Sequence, residues 1–500
     1  MYNTPALFAA DSYKLAHADM YPEDMELLFS TWVPRSDKIA RQSGRQLDGD
    51  NSVVFFGIST AILKMQDMWD EWFNQDGDEV VAEYAKFHQD FLKVPATQVQ
   101  LDRIDDLHAL GYLPIKILHL PEGTVTKTGV VQLVVYNTHP DFAWVTNYVE
   151  SLLSLLLWKS QVVASIARNY RKEAEKWAER TCDDNLHVDW QCHDFSLRGL
   201  DAFEAAEEGQ VGHLLYFNGT DTLPALFGAR TNYPGFQIAD YGSVPATEHS
   251  VMCAGGQATE LETFERLLKH YPAGIVSIVS DTWNFWDVLT KTLPTLKDQI
   301  MSRDGKAVIR PDSGNPVDII AGNLDAEPGS PEYKGAIELL WEVFGGTTNS
   351  KGFKVLDPHI GLIYGDSITL ERASDIFDRL AKKGFASSNV VLGIGSFTYQ
   401  HNTRDTYGFA MKATGGIFGG EERALFKDPI TDDGIKRSFR GFVNTFEADD
   451  GSFFTTDGLT FEEAVDHPES AFVEFDFQYD SVDAFCDLWD EIKERARAGL

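Results

Sequence analysis

Apolar positions change their period along the chain, and each change marks a different kind of element. From Ser52 the run VVFFGISTAILKM leads into an aromatic-rich stretch that lasts to about residue 110 without strand-like alternation, which predicts packed helices. Residues 111–137 then alternate and carry β-branched side chains around a PEG turn at 121–123, the pattern of a small β unit. Trp144 to Arg180 is free of Gly and Pro, and its second half is rich in Ala, Lys, Arg and Glu, so a long helix with a break is expected. Ahead of these, WVPRSDK at 32–38 reads as a Pro-broken basic loop.

Further on, Leu261, Phe264, Leu267, Leu268 and Tyr271 fall at helical spacing, and Val276 to Val279 follow as a buried strand. A strand followed by a polar turn then occurs four times: IVSIVSD ending at Asp281, AVIRPDSG at 307–314, GLIYGDS at 361–367 and NVVLGIGS at 389–396. Two of the three intervals are about 30 residues, the length of a β/α unit. Leu370, Ala373, Phe377, Leu380 and Ala381, closed by Gly384, supply an intervening helix. These units predict a parallel sheet whose polar residues converge on one rim, at the C-terminal ends of the strands. Fewer than eight units are visible, so the expected barrel is irregular. After Asn402 the chain is expected to return to the N-terminal β unit and to end in an acidic, β-rich tail and a helix.

A length of 500 residues predicts two or three domains, and the absence of a Pro-, Gly- or Ser-rich linker predicts that they pack closely. The formal net charge of −34 repels polyphosphate chains and anionic surfaces, which argues against nucleic acid and membranes as partners. Cys182, Cys192, Cys253 and Cys486 have neither zinc-site nor disulfide-framework spacing and read as free thiols. Without a secretory pattern at the N-terminus or an apolar run of membrane-spanning length, a cytoplasmic enzyme is expected.

Candidate chemistry is densest between His193 and Ser250, in HDFSLRG, NGTDT and SVPATEHS. Arg310 and Asp312 lie two apart at a strand end, hence on one side, and suit an anionic oxygen and a cation or sugar hydroxyls; a structural Arg–Asp pair is the plain alternative. With Asp281 and Asp366 they place three carboxylates on the rim, a hard-oxygen set for Mg²⁺ carried on a substrate phosphate. Gly395 and Ser396 permit backbone approach to a phosphate, and Arg198, Arg404 and Lys412 are candidate counter-charges. His249 is a candidate acid, base or phosphate acceptor. GIGS fails as a dinucleotide fingerprint, since position 398 is Thr, and an NAD-dependent oxidoreductase remains only as an alternative.

Taken together, ADSYK, PEGTV, W-x-TN at 144–147, HDF-x-x-RG, F-x-GTDT, SVPA-x-EHS, IVSD, IRPDSGNP, GD, TRD and FKDP resemble, in order, the nicotinamide phosphoribosyltransferases of the type II phosphoribosyltransferase family. The resemblance implies an α/β fold: an irregular parallel β/α barrel at 185–400, with a discontinuous α+β domain built from 1–184 and 401–500. It implies transfer of phosphoribose from phosphoribosyl pyrophosphate to nicotinamide in NAD salvage, with ATP hydrolysis coupled through a phosphohistidine at His249. Nicotinate phosphoribosyltransferase and a non-catalytic protein of the same fold are the alternatives.

By the same resemblance, Phe195 and the Tyr13 of a second subunit sandwich the pyridine ring, and Asp221 accepts from the carboxamide. Arg310, Asp312, Asp281, Gly365 and Asp366 hold ribose, Mg²⁺ and pyrophosphate, with Asp281 and Asp312 as the metal-side carboxylates. Gly395 and Ser396 cradle the 5′-phosphate, Arg404 and Lys412 reach it across a homodimer with shared sites, and Arg198, Ser243 and Ser277 face the ligand. Two positions depart from the family pattern: GIGSFT has fewer glycines, and Ala410 stands where a serine is expected.

Overall fold

In the computed structural model, which describes residues 3–365, 368–427, 439–480 and 487–500, the two ends of the chain share one sheet. Its six strands run in the order Glu421–Ala424, Phe409–Phe418, Met25–Pro34, Leu133–Asn137, Ile115–His119 and Val473–Asp476, all pairings antiparallel. Trp32, Val33 and Pro34, expected in a loop, instead end the 25–34 strand. The reason is packing: Trp32 stacks on Phe409 with ring centroids 5.3 Å apart, and its indole N–H donates to Gln161 Oε1 at 3.2 Å. Pro34 takes the last strand position, where a missing N–H is tolerated.

The expected long helix is Glu150–Thr181, 32 residues or about 48 Å long. The expected break is present too, as a 42° bend where Pro140–Tyr148 gives way to it. Polar side chains along this buried helix tie distant segments together. Ser165 Oγ accepts from Val54 N–H at 2.9 Å, Asn169 Oδ1 from Leu47 N–H at 3.1 Å, and Arg168 donates to the Ala496 and Ala498 carbonyls at 2.7 and 2.8 Å. Among the described residues no single helix is long and apolar enough to cross a membrane.

The PEG turn is a clasp. Buried Glu122 accepts from Gly57 N–H at 2.5 Å and Ser59 Oγ at 2.7 Å, at the start of the Ile58–Phe73 helix. Its carbonyl receives Arg495 Nε at 2.7 Å from the C-terminal helix Trp489–Arg497. A Cβ on Gly123 would lie 2.2 Å from the Ile492 carbonyl oxygen, so this close approach requires glycine.

The second large sheet is parallel throughout, in the order Gly219–Thr220, Cys192–Asp194, Val390–Ile394, Ile360–Tyr364, Ala307–Arg310 and Val276–Val279. It curls until the 242–247 segment bridges its two edges: Gly242 pairs with Gly219, and Ala246 with Ser277. Helices Glu260–His270, Leu293–Met301, Ala336–Phe344 and Leu370–Lys382 lie between successive strands in the chain. The four strand-and-turn units stand as expected, and the irregular parallel architecture is borne out. Asp281, Asp312, Gly365 and Gly395 follow their strand ends, while Asp366 lies outside the described residues. Cys182, Cys192 and Cys253 are free thiols; Cys486 is outside the described residues.

Candidate active site

At one side of the barrel mouth, backbone hydrogen bonds extend the parallel ladder by one residue on each of two strands. Phe195 N–H donates to Ile394 O and Asp221 N–H to Asp194 O, both at 2.9 Å. Phe195 therefore emerges beside Gly393, whose added Cβ would lie 2.8 Å from the phenyl Cδ2. His193 packs on Phe195 with centroids 4.6 Å apart, and its Nε2 is 2.9 Å from Asp221 Oδ1. The Ser243 hydroxyl, brought in by the segment that closes the barrel, donates to the same oxygen. Burial pushes the Asp221 carboxyl up, but hydrogen bonds from His193 and Ser243, with the electrostatic pull of His193 and Arg310, outweigh it. The group is held below the usual carboxylate range.

Across the mouth, Asp281 is the organising group. Its Oδ1 is 3.2 Å from His249 Nε2, and its Oδ2 accepts from Asp312 N–H at 2.8 Å and Ser313 Oγ at 2.5 Å. Arg310 donates through Nη2 to the Thr247 carbonyl at 2.8 Å, while its Nε and the Ser277 hydroxyl are buried with no hydrogen-bond partner among the described residues. Buried polar atoms of this kind are expected where a ligand supplies the missing bonds. Gly365 leaves room for Asp312: a Cβ there would fall 2.0 Å from Asp312 Oδ1. Among the described residues no three His, Cys, Asp or Glu side chains converge as a metal cage. The donor set suits a cation bound chiefly by substrate oxygens and water.

Tyr13, Arg404 and Lys412 gather elsewhere, around Glu150. Lys14 Nζ is 2.6 Å from Glu150 Oε2, and Lys412 Nζ is 3.9 Å from Oε1. Burial lowers the Lys412 pKa, Glu150 raises it, and the neighbouring cations Arg35, Arg404 and Lys427 lower it further. Four cations, Arg35, Arg404, Lys412 and Lys427, thus gather near the carboxylate of Glu150. Tyr13 and Arg404 line a groove of about 620 Å³, and Tyr13 is 58% exposed. Among the described residues Tyr13 has a ring contact with His17 and none with Phe195.

Arg198 is exposed on the Leu197–Gly199 turn, which touches the start of the Ser396–Tyr399 helix: a Cβ on Gly199 would lie 2.1 Å from Ser396 Oγ. Lys159 of the long helix holds that second turn from below, donating to Tyr399 O at 2.9 Å and Gln400 Oε1 at 3.1 Å. Burial lowers the Lys159 pKa to about 8.

A family model described as the nicotinate phosphoribosyltransferase (NAPRTase) family matches residues 190–460, more than half of the chain and all of the barrel-mouth residues above. The chain belongs to this family. A relative from Acinetobacter baylyi named nicotinamide phosphoribosyltransferase is 47% identical over 454 residues, 89% of each chain. One of the same name from Mycoplasma pneumoniae is 35% identical, covering 85% of this chain and 92% of its own. Human nicotinic acid phosphoribosyltransferase superposes with a TM-score of 0.55 over 97% of this chain and 92% of that one; at 14% identity it shows the shared fold alone.

The phosphoribosyltransferase expected from the motifs is therefore borne out at the level of family. Of the expected site residues, Phe195, Asp221 and Ser243 meet at one side of the barrel mouth, and His249, Asp281, Arg310, Asp312 and Gly365 at the other. Tyr13, Arg404 and Lys412 form the separate Glu150 group. Two residues gain importance from the structure, His193 and Lys159. His193 lies in the HDF motif but carried less weight in the sequence than His249, and Lys159 lay within an unbroken helical pattern that gave it no distinguishing signal.

Proposed function

We propose that this family member is a nicotinamide phosphoribosyltransferase: nicotinamide and phosphoribosyl pyrophosphate give nicotinamide mononucleotide and pyrophosphate, a salvage step toward NAD in the cytoplasm. The observation that carries the base assignment is Asp221, a carboxyl held below the usual range and tied through His193 to the ring of Phe195. A carboxylate accepts from the carboxamide N–H₂ and repels the carboxylate of nicotinate. The π-deficient pyridine ring stacks on Phe195, with Tyr13 of a second subunit on its other face.

The ring nitrogen attacks C1′ as the C1′–O bond to pyrophosphate breaks, leaving ribosyl-cation character that is spread over a preorganised polar rim. Arg310, whose buried Nε has no partner among the described residues, meets the charge of the departing pyrophosphate. Asp281 and Asp312 are the carboxylates that would hold a Mg²⁺ ion, which would supply further neutralisation of phosphate charge. Asp312 and Asp366 hold ribose hydroxyls. Ser277 and Arg198 supply further donors to the ligand, and Gly395 and Ser396 approach the 5′-phosphate together with Arg404 and Lys412 from the second subunit of a homodimer. The exposed Tyr13, Leu155 and Phe203 near that groove support an apolar mate. ATP hydrolysis is coupled through phosphorylation of His249, whose imidazole Asp281 orients.

Incubation with phosphoribosyl pyrophosphate, Mg²⁺ and each base in turn tests the assignment. Mononucleotide from nicotinamide is expected. Product from nicotinate alone would overturn the base assignment, and no product from either would overturn the transferase.

A further inference from the structure

We infer that His193 is a positioning residue that sets the base preference of the site, by holding the Asp221 carboxylate through one oxygen and leaving the other for the carboxamide. This rests on the reading of Asp221 as the group that meets the base.

The geometry is unequal at the two carboxylate oxygens. His193 Nε2, at 2.9 Å, and the Ser243 hydroxyl both converge on Oδ1. Among the described residues no hydrogen-bond donor is directed at Oδ2. Two donors on one oxygen fix the plane of the carboxylate and favour its ionised form, so the second oxygen presents a charged acceptor in a defined direction.

The imidazole that does this is confined on three sides. Phe195 packs on it with ring centroids 4.6 Å apart and planes at 33°. Gly219 stands opposite it in the parallel ladder, and a Cβ at Gly219 would lie 2.7 Å from His193 Nδ1. The third side is Asp221 itself. The glycine of the GTD sequence thus leaves space for the ring that aligns the aspartate two residues later. Because the same imidazole touches Phe195, one side chain fixes both the stacking surface and the polar contact that a pyridine carboxamide would meet. A hydroxyl at Ser243 alone is a weaker constraint, since it rotates and can accept from a protonated carboxyl as readily as it donates to an ionised one.

The test measures kcat and KM for nicotinamide and nicotinate in wild type, Asp221→Asn, His193→Phe and His193→Gln, with the melting temperature of each. His193→Phe keeps a ring against Phe195 but lacks the donor, and His193→Gln restores an N–H donor. His193→Phe is expected to lower the nicotinamide-over-nicotinate ratio of kcat/KM by about 10-fold, the worth of one charge-assisted hydrogen bond. The loss should fall on KM for nicotinamide more than on kcat, and His193→Gln should recover most of it. Should His193→Phe fail to fold, Gly219→Ala, which displaces the imidazole, is expected to move the ratio in the same direction. An unchanged ratio in His193→Phe, or in Gly219→Ala where that variant stands in, alongside a collapsed ratio in Asp221→Asn overturns the role of His193 and spares that of Asp221. A ratio unchanged in Asp221→Asn as well overturns the reading of Asp221.

Discussion

The side chain of Asp221 is 41% exposed at the barrel mouth, and its neighbours together outweigh the effect of burial on its charge state. Asp281 is the converse case: its side chain is 6% exposed and its two oxygens are taken by His249, Asp312 N–H and Ser313. These contrasting carboxylates suit different work, one facing a neutral base and one orienting an imidazole and a loop. His249→Ala is expected to abolish ATP hydrolysis while phosphoribosyl transfer without ATP continues at a reduced rate. Full ATP hydrolysis in that variant, followed as phosphate release, would end the phosphohistidine proposal. Gly365→Ala forces Asp312 aside, because the new Cβ would sit 2.0 Å from its Oδ1. It is expected to lower kcat/KM for phosphoribosyl pyrophosphate by ~100-fold, a misplacement effect at the reacting centre. A wild-type value in steady-state kinetics would show that Asp312 has no part in holding that substrate.

Among the elements, the PEG turn gives the clearest physical test, because it links the 58–73 helix to the C-terminal helix through one buried acid. Burial raises the Glu122 pKa from 4.5 to about 7, with Ser59 and Gly57 offsetting part of the shift. A carboxyl whose folded pKa is raised binds more protons in the native state, so its contribution is fully present below the unfolded pKa and is lost as pH rises through 7. The loss amounts to about 3 kcal/mol. Glu122→Gln should therefore show a smaller fall in melting temperature between pH 5 and 8 than wild type, read by calorimetry; parallel curves for the two proteins would contradict this.

Element legibility followed the same physics. The four apolar barrel strands were readable because strands covered on both faces are continuous apolar runs. The 192–194 and 219–220 strands were not, being three and two residues long and without an apolar run. The 25–34 strand was hidden at its end by Pro34 and Arg35, since sequence could not show that Phe409 would stack on Trp32. In the site, motif residues were visible one by one. The resemblance already set Tyr13, Arg404 and Lys412 apart as residues of a second subunit; that they gather around Glu150 needed the fold, because Tyr13 and Lys412 come from opposite ends of the chain.

For the whole molecule, the net charge of −34 is a self-repulsion that the folded state carries at close quarters. Raising salt from about 0.05 to about 1 M screens it, and the melting temperature is expected to rise; a flat or falling curve would mean that the acidic surface places no load on stability. In the proposed homodimer, the Phe195 and Asp221 mouth of one chain would be completed by the Tyr13, Arg404 and Lys412 group of another. Subunit mixing tests this most directly. Phe195→Ala and Tyr13→Ala, each deficient alone, are combined under conditions that allow subunit exchange, and nicotinamide mononucleotide formation is measured. Random exchange of a two-fold dimer restores roughly a quarter of the wild-type sites, so activity should recover to about that level. Mixed dimers formed with no recovery of activity, or full activity in either variant alone, would contradict the shared site.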